Sequence, residues 1–249
     1  MKPTRSANLI SGALVLALLS GLCYLLFTRL VPNSNWDGIV DNRQLLLRGW
    51  ATTLAISSAA LVLSITVGIL LVCGLRSGLK PVTIACRSYI EIVRGTPLLV
   101  QLFIGFYVFA DALGLEDRYL AGTILLSLFA AAYLAEIFRG GIESIGASQF
   151  QAARAVGFDT VQTYRHIIIP QAVRRVLPAT AGQLASLVKD SSLLSVLAVN
   201  EFTKAADTIN SKTYATFEAY IPIAFGYLAL TIPISLIAAR LERRFRFET

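Results

Sequence analysis

The chain has 249 residues, 55% hydrophobic and only 15% charged, where a soluble domain carries about 25% charged residues. Its apolar residues come in long blocks that a soluble core does not need, so composition excludes an ordinary soluble domain. The formal charge of +7 invites a nucleic-acid reading, but the positions of the basic residues give it another cause.

In chain order, Lys2 and Arg5 precede an uncharged run from Ala7 to Phe27. A ~30 Å hydrocarbon core needs roughly 20 helical residues, so this run can cross it. It is longer than a signal-peptide core and no small-x-small cleavage site follows, which predicts an uncleaved anchor. Gly49 to Leu75 is a second uncharged span. The third, Ile84 to Ala110, is interrupted by Arg87, Glu91 and Arg94. Tyr119 to Ile137, Gln183 to Val199 and Tyr220 to Ala239 bring the expected crossings to about six. The predicted fold class is therefore all-α, a polytopic helical membrane protein with one membrane domain, no room for a soluble one and no internal repeat. Cys23, Cys73 and Cys86 have no metal or redox spacing.

With the N-terminus inside and the sides alternating, fifteen of the 22 Lys and Arg residues fall in cytoplasmic segments and six in outer loops; Lys189 lies within a span. Positive charge retained inside is the expected sign of orientation. Both termini are then cytoplasmic, and no case for nucleic acid remains.

Between the fourth and fifth spans the pattern changes. Ser148 with Gln151 three residues on fits a capping box, and so does Asp159 with Gln162. Gly157 stands where a left-handed cap would end the first helix. The spacing predicts helices over Gln149 to Val156 and Thr160 to Ile169. Pro170 disfavours a helical conformation for the residue before it. Ala152, Ala153 and Ala155 give the first helix a small-residue surface that another protein could approach closely. A helix this short is marginal in water, so tertiary packing must hold it. An amphipathic loop lying on lipid headgroups is the alternative.

Two sets of intramembrane charges follow from the same pass. Arg87, Glu91 and Arg94 share one helical face through i,i+4 and i,i+3 steps. Charge beside lipid is costly, so that face should turn inward or toward the cytoplasm. With Gly95 and Pro97 loosening the helix after it, the segment reads as a kinked helix forming part of a gate, or as a salt-bridged interfacial helix start. Lys189 and Asp190 stand in an apolar span and point about 100° apart. Each needs a partner elsewhere, with Glu136 conceivable for Lys189. They read as substrate contacts or as a structural ion pair.

A resemblance sharpens these readings. Gln151-Ala152-Ala153, then Gly157, Ile167 and Ile169-Pro170 resemble the cytoplasmic signature loop of binding-protein-dependent ABC importer permeases. Gln151 stands where that pattern has Glu and Ile169 where it has Leu. Glu91 to Leu102 (with Arg94, Gly95, Thr96, Pro97 and Gln101), Ala135 to Ile142 (with Glu136) and Lys189-Asp190-Ser191-Ser192-Leu193 resemble the polar amino-acid branch, which includes histidine, glutamine, arginine and cystine importers. The likeness runs from about Leu47 to Arg244.

The resemblance implies an anchor helix and extracytoplasmic loop over residues 1–46 ahead of a permease domain over 47–249. The loop would be a coupling helix that fits a cleft on an ATPase subunit, through Ser148, Gln151, Ala152, Ala153, Gly157, Asp159, Ile167 and Pro170. Glu91, Arg94, Thr96, Pro97, Gln101, Glu136, Lys189, Asp190, Ser191 and Ser192 would be pathway, gate or substrate residues. Implied partners are two ABC ATPase subunits, an extracytoplasmic substrate-binding protein, a second permease copy or paralogue, an amino-acid substrate and the lipid of a bacterial inner membrane.

The chain has one histidine, His166, and no Gly-x4-Gly-Lys-Ser/Thr phosphate loop, since Gly74 to Lys80 has the wrong spacing. It is therefore expected not to be an enzyme and to hold no cofactor, with ATP and Mg bound by the partner ATPase. A secondary transporter, with repeated halves and matching broken helices, and a non-transporting membrane scaffold are the rival readings.

Overall fold

The computed structural model describes residues 5–30 and 36–245. Lys2 and Arg246, both counted above as cytoplasmic, lie outside the described residues. The chain folds as helix α1 (Arg5–Leu30), a short α2 (Asp37–Asp41) and the long α3 (Arg43–Leu75). Next come α4 (Lys80–Gly95), α5 (Leu98–Ile104, extended by a π-helical stretch Gly105–Ala110) and α6 (Arg118–Glu143). The loop after α6 contributes α7 (Ala147–Ala155) and α8 (Thr160–Thr163). A π turn (Tyr164–Ile168) leads into α9 (Ile169–Asp190), followed by a 3-10 turn (Ser191–Leu197), α10 (Phe202–Thr213) and α11 (Thr216–Phe245).

Among the described residues, α3, α6 and α11 are each long and apolar enough to cross a membrane alone. The predicted third span bends where Gly95 and Pro97 are expected to kink it, and the bend is sharp: two helices meet at 113°. Thr96 and Pro97 are both extended there, with ψ of 149° and 135°. Proline drives its predecessor out of the helical region and cannot donate a helical hydrogen bond. Gln101 completes the break. Its Nε2 donates to the Val93 carbonyl at 2.7 Å and to Thr96 O at 3.1 Å, so carbonyls left open at the end of α4 find a donor.

The fifth predicted span also changes its bounds. Its helix begins well before Gln183 and ends at Asp190, and Val199 lies beyond a left-handed Ala198 with φ of 56°.

The core is built largely from small side chains. Ala60 on α3 and Ala130, Ala131, Ala132 and Ala135 on α6 are fully buried, and these two helices make the most extensive contact in the molecule. Lipid gives helices no hydrophobic reason to associate, so close backbone approach through small residues does the work. Leu98, Leu102, Leu126, Leu187 and Leu194 fill the centre where α5, α6, α9 and the 3-10 turn meet. Helix α11 leans on α9, and α10 lies across α3 and α11.

Candidate functional site

The loop between α6 and α9 is held from beneath by an apolar cluster. Ile145, Ile168 and Ala172 are buried in it, with Ile142, Phe150, Tyr164 and Ile167 packed around them. This is the tertiary support that a nine-residue helix requires.

Helix α7 starts one residue before Ser148, with Gly146 at its N-cap and no side-chain cap. The predicted capping box of Ser148 and Gln151 does not form. With the helix already begun at Ala147, Ser148 sits inside the first turn and cannot reach back as a cap.

The other end follows expectation. Gly157 has φ of +80°, its N–H donates to Arg154 O, and the Phe158 N–H donates to Ala153 O, both at 3.0 Å. Those two bonds are the 5→2 and 6→1 pair of a Schellman motif, which closes the last carbonyls of the helix. Asp159 then starts α8 with a full capping box. Gln162 N donates to Asp159 Oδ1 at 2.7 Å, and Asp159 N donates to Gln162 Oε1 at 3.0 Å.

Pro170 does not end the second helix. Ile169 is helical, with φ of −59° and ψ of −46°, and the helical run continues unbroken from Thr160 to Asp190. The wider π turn ahead of Pro170 accounts for this. Hydrogen bonding shifts there from i→i−5 to i→i−4, and Pro170 falls in the first turn of the new register, where its missing N–H is tolerated.

Outward from this frame, Ala153 is buried while Gln151, Ala152, Ala155, Val156 and Val161 are exposed. Val156 is 70% and Val161 72% exposed, two apolar side chains that no other described element covers.

Side-chain contacts bind the loop to the membrane helices. Arg175 donates to both the carbonyl and the hydroxyl of Ser144. Arg76, just past α3, donates to Tyr164 Oη at 2.7 Å and lies over its ring at 5.8 Å.

The second assembly is a cavity of about 410 Å³ between α4 and α6, lined by Arg87, Glu91, Arg94, Glu136, Arg139 and Glu143 among others. The predicted common face of Arg87, Glu91 and Arg94 is thus present. One ion pair crosses between the helices, Arg94 to Glu136 at 3.2 Å, and two more lie along α6, Arg139 to Glu136 at 2.9 Å and Arg139 to Glu143 at 2.6 Å. Glu91 forms no ion pair with any described residue. Glu136 is therefore committed to arginines and does not serve Lys189.

Thr96 and Gln101 belong to the helix break beside this cavity, where Gln101 Nε2 also donates to Thr96 Oγ1 at 2.8 Å. Lys189 lines a separate cavity of about 720 Å³ between α9 and α11, with Gly182, Ala185, Ser186 and Glu242. Asp190 is half-buried. Ser191 and Ser192 donate back to the carbonyls of Val188 and Lys189, so their hydroxyls terminate the helix.

Sequence reasoning passed over Glu201. It is fully buried and caps α10, accepting from Lys204 N at 2.7 Å and Thr203 N at 2.9 Å. Tyr227 Oη on α11 and Thr53 Oγ1 on α3 also donate to it, at 2.9 and 3.3 Å. Burial raises its carboxyl above the ordinary value, and the hydrogen bonds from Thr203, Lys204, Tyr227 and Thr53 oppose that rise. Only its isolation after an apolar stretch marked it in the sequence.

A polytopic helical membrane protein with a core-supported helical loop between two of its long helices is the class these features define. Residues 64–247 match the family described as binding-protein-dependent transport system inner membrane component, and the chain belongs to that family. It is 37% identical to the probable glutamine ABC transporter permease protein GlnM of Bacillus subtilis (strain 168), over 83% of this chain and 95% of the relative. The glutamate/aspartate import permease protein GltK of Escherichia coli O6:H1 is 33% identical, over 84% of this chain and 97% of its own. Among solved structures, an amino acid ABC transporter crystallised with histidines superposes with a TM-score of 0.79 and 34% identity, over 84% of this chain and 98% of that one. The MetNI methionine ABC transporter shares the fold at a TM-score of 0.69 and 20% identity, covering 82% of this chain and 98% of its own.

Proposed function

We propose that this chain is the membrane-spanning subunit of an ATP-driven importer in a bacterial inner membrane, and that a polar amino acid passes along it after delivery by an extracytoplasmic binding protein. The observation that carries this reading is the loop from Ser148 to Pro170. It is anchored by its own apolar cluster, yet it leaves Ala152, Ala155, Val156 and Val161 facing outward. A surface built so firmly and left uncovered suits a partner that pushes on it, and an ATPase subunit holding Mg and ATP is that partner. This chain carries no phosphate-binding loop of its own. The names of relatives that import glutamine or glutamate and aspartate support the substrate class.

In this reading α1 and α9 join α3, the α4–α5 pair, α6 and α11 in six crossings. Residues 1–46 form an added anchor and outer loop ahead of the permease domain at 47–249, and both termini are cytoplasmic. A second copy or a paralogue completes the pathway. The Arg94–Glu136–Arg139 chain and the Thr96–Gln101 break act as a gate at its inner end, and Lys189, Asp190, Ser191 and Ser192 stand along it. A secondary carrier is not favoured, because the break between α4 and α5 has no repeated counterpart among the described helices.

Co-purification tests the proposal. Recovery of an ATPase whose hydrolysis rises with substrate-loaded binding protein is the expected result, and gradient-driven uptake by this chain alone would refute it.

A further inference from the structure

We propose that Arg76 is a positioning residue that ties the cytoplasmic loop to α3, and that α3 carries displacement of the loop to the extracytoplasmic helix α10. The inference rests on the loop being the ATPase-docking element.

The inner end of this link is made by one side chain. Arg76 follows the last residue of α3, and its backbone N–H still donates to Val72 O at 3.1 Å and Cys73 O at 3.2 Å, so it moves with that helix. Its guanidinium forms no ion pair with any described residue. Instead it donates to Tyr164 Oη at 2.7 Å while covering the ring. Tyr164 in turn meets Phe150 of α7 edge to face, with ring centroids 6.1 Å apart. One aromatic ring thus touches the helix proposed to be pushed and the cation at the foot of α3. Tyr164 also opens the π turn, and such turns gather at functional sites.

The rod itself is suited to transmission. Helix α3 runs 33 residues without a proline or a break, about 50 Å at 1.5 Å per residue. Its close contact with α6 means that a shift of α3 is shared with that helix.

The outer end is bonded as closely as the inner one. Thr53 Oγ1 accepts from Phe202 N at 3.1 Å and donates to the buried Glu201 carboxylate that caps α10. One turn earlier the two helices nearly touch: a Cβ on Gly49 would lie 2.8 Å from Ala205 Cβ and 3.0 Å from Glu201 O. The loop proposed to meet the ATPase and the helix on the binding-protein side are therefore joined by one continuous element with a polar contact at each end.

A double-mutant cycle in the full complex tests this, because proximity alone does not demonstrate coupling. Arg76→Gln, Tyr164→Phe and the pair are assembled with the ATPase subunits in proteoliposomes. Two quantities are read: ATPase retained per chain, and the ratio of hydrolysis with loaded binding protein to hydrolysis without it. Loss of a charge-assisted hydrogen bond should lower that ratio roughly ten-fold in each single variant, with the ATPase retained and the double variant no worse than the weaker single.

An unchanged ratio overturns the link. So do a double variant that multiplies the single effects, as independent sites would, and a fall in ratio that only tracks lost ATPase. A wild-type chain that retains no ATPase would overturn the docking reading and this link together, whereas retained ATPase with an unchanged ratio overturns the link alone.

Discussion

Gly157→Val isolates the contribution of one backbone angle to docking. Gly157 sits at φ of +80°, and a Cβ added there would meet nothing within 4 Å. The substitution therefore causes no clash, and its whole cost is conformational. An L-residue in the left-handed region costs about 1–2 kcal/mol, and a β-branched one lies at or beyond the upper end. About 2 kcal/mol corresponds to a roughly 30-fold fall in the population of the turn. Release of the Gly157 and Phe158 hydrogen bonds frees the end of α7, which is too short to persist without them.

The strain can be relieved within the exposed loop, so the membrane core should not register it. Measured by ATPase recovered on the purified chain, the valine variant should bind at least about ten-fold less, and its unfolding temperature should stay within ~2 °C of wild type. Asparagine tolerates the left-handed region, so Gly157→Asn should bind nearly as well as wild type. Full ATPase binding by the valine variant would refute the reasoning, and so would equal damage from asparagine.

Two further outcomes follow from polar groups within the fold. Gln101→Leu keeps the side-chain volume but removes the donor shared by Val93 O and Thr96 O, at a cost of about 2 kcal/mol. The unfolding temperature should fall by ~4–8 °C, followed by circular dichroism; an unchanged transition would mean the helix break needs no side-chain support. Because the folded Glu201 carboxyl is raised above its ordinary value of 4.5, the folded chain holds that proton more tightly. Its contribution is full below about 4.5 and is lost as pH rises through the raised value. Wild-type unfolding temperature should therefore decline over that window relative to Glu201→Gln, and parallel pH profiles for the two proteins would contradict the assignment.

Local signals in the sequence carried a good part of this structure. The apolar runs mark α3, α6 and α11 because each is one long apolar stretch, uncharged in α3 and α11 and broken in α6 only by Glu136 near its end. Gly157 and the Asp159–Gln162 box are read correctly because their chemistry lies within a few residues. The failures have two sources. Ser148 satisfies the capping-box pattern, yet the helix begins one residue earlier, since the pattern does not fix which residue leaves the helical region first. At Pro170 and Pro97 the same residue type has opposite outcomes. A π turn absorbs one proline into a continuous helix, while two extended residues and Gln101 turn the other into a 113° bend. Long-range pairs were invisible in principle: nothing in one sequence assigns Glu136 to Arg94 over Lys189, or brings Thr53, Glu201 and Tyr227 to one point.

The π turn has a consequence for register. Each residue added to a helix rotates everything beyond it by about 100° while advancing it only ~1.5 Å. The stretch from Tyr164 to Ile168 therefore fixes the azimuth of the docking face relative to α9 far more than its depth. Deleting a single residue there would leave the loop at nearly the same height but swing Val156 and Val161 by more than a quarter turn. The interval between Gly157 and Pro170 is thus constrained as an angular phase, and a chain of different length in that interval would have to meet its partner from another bearing.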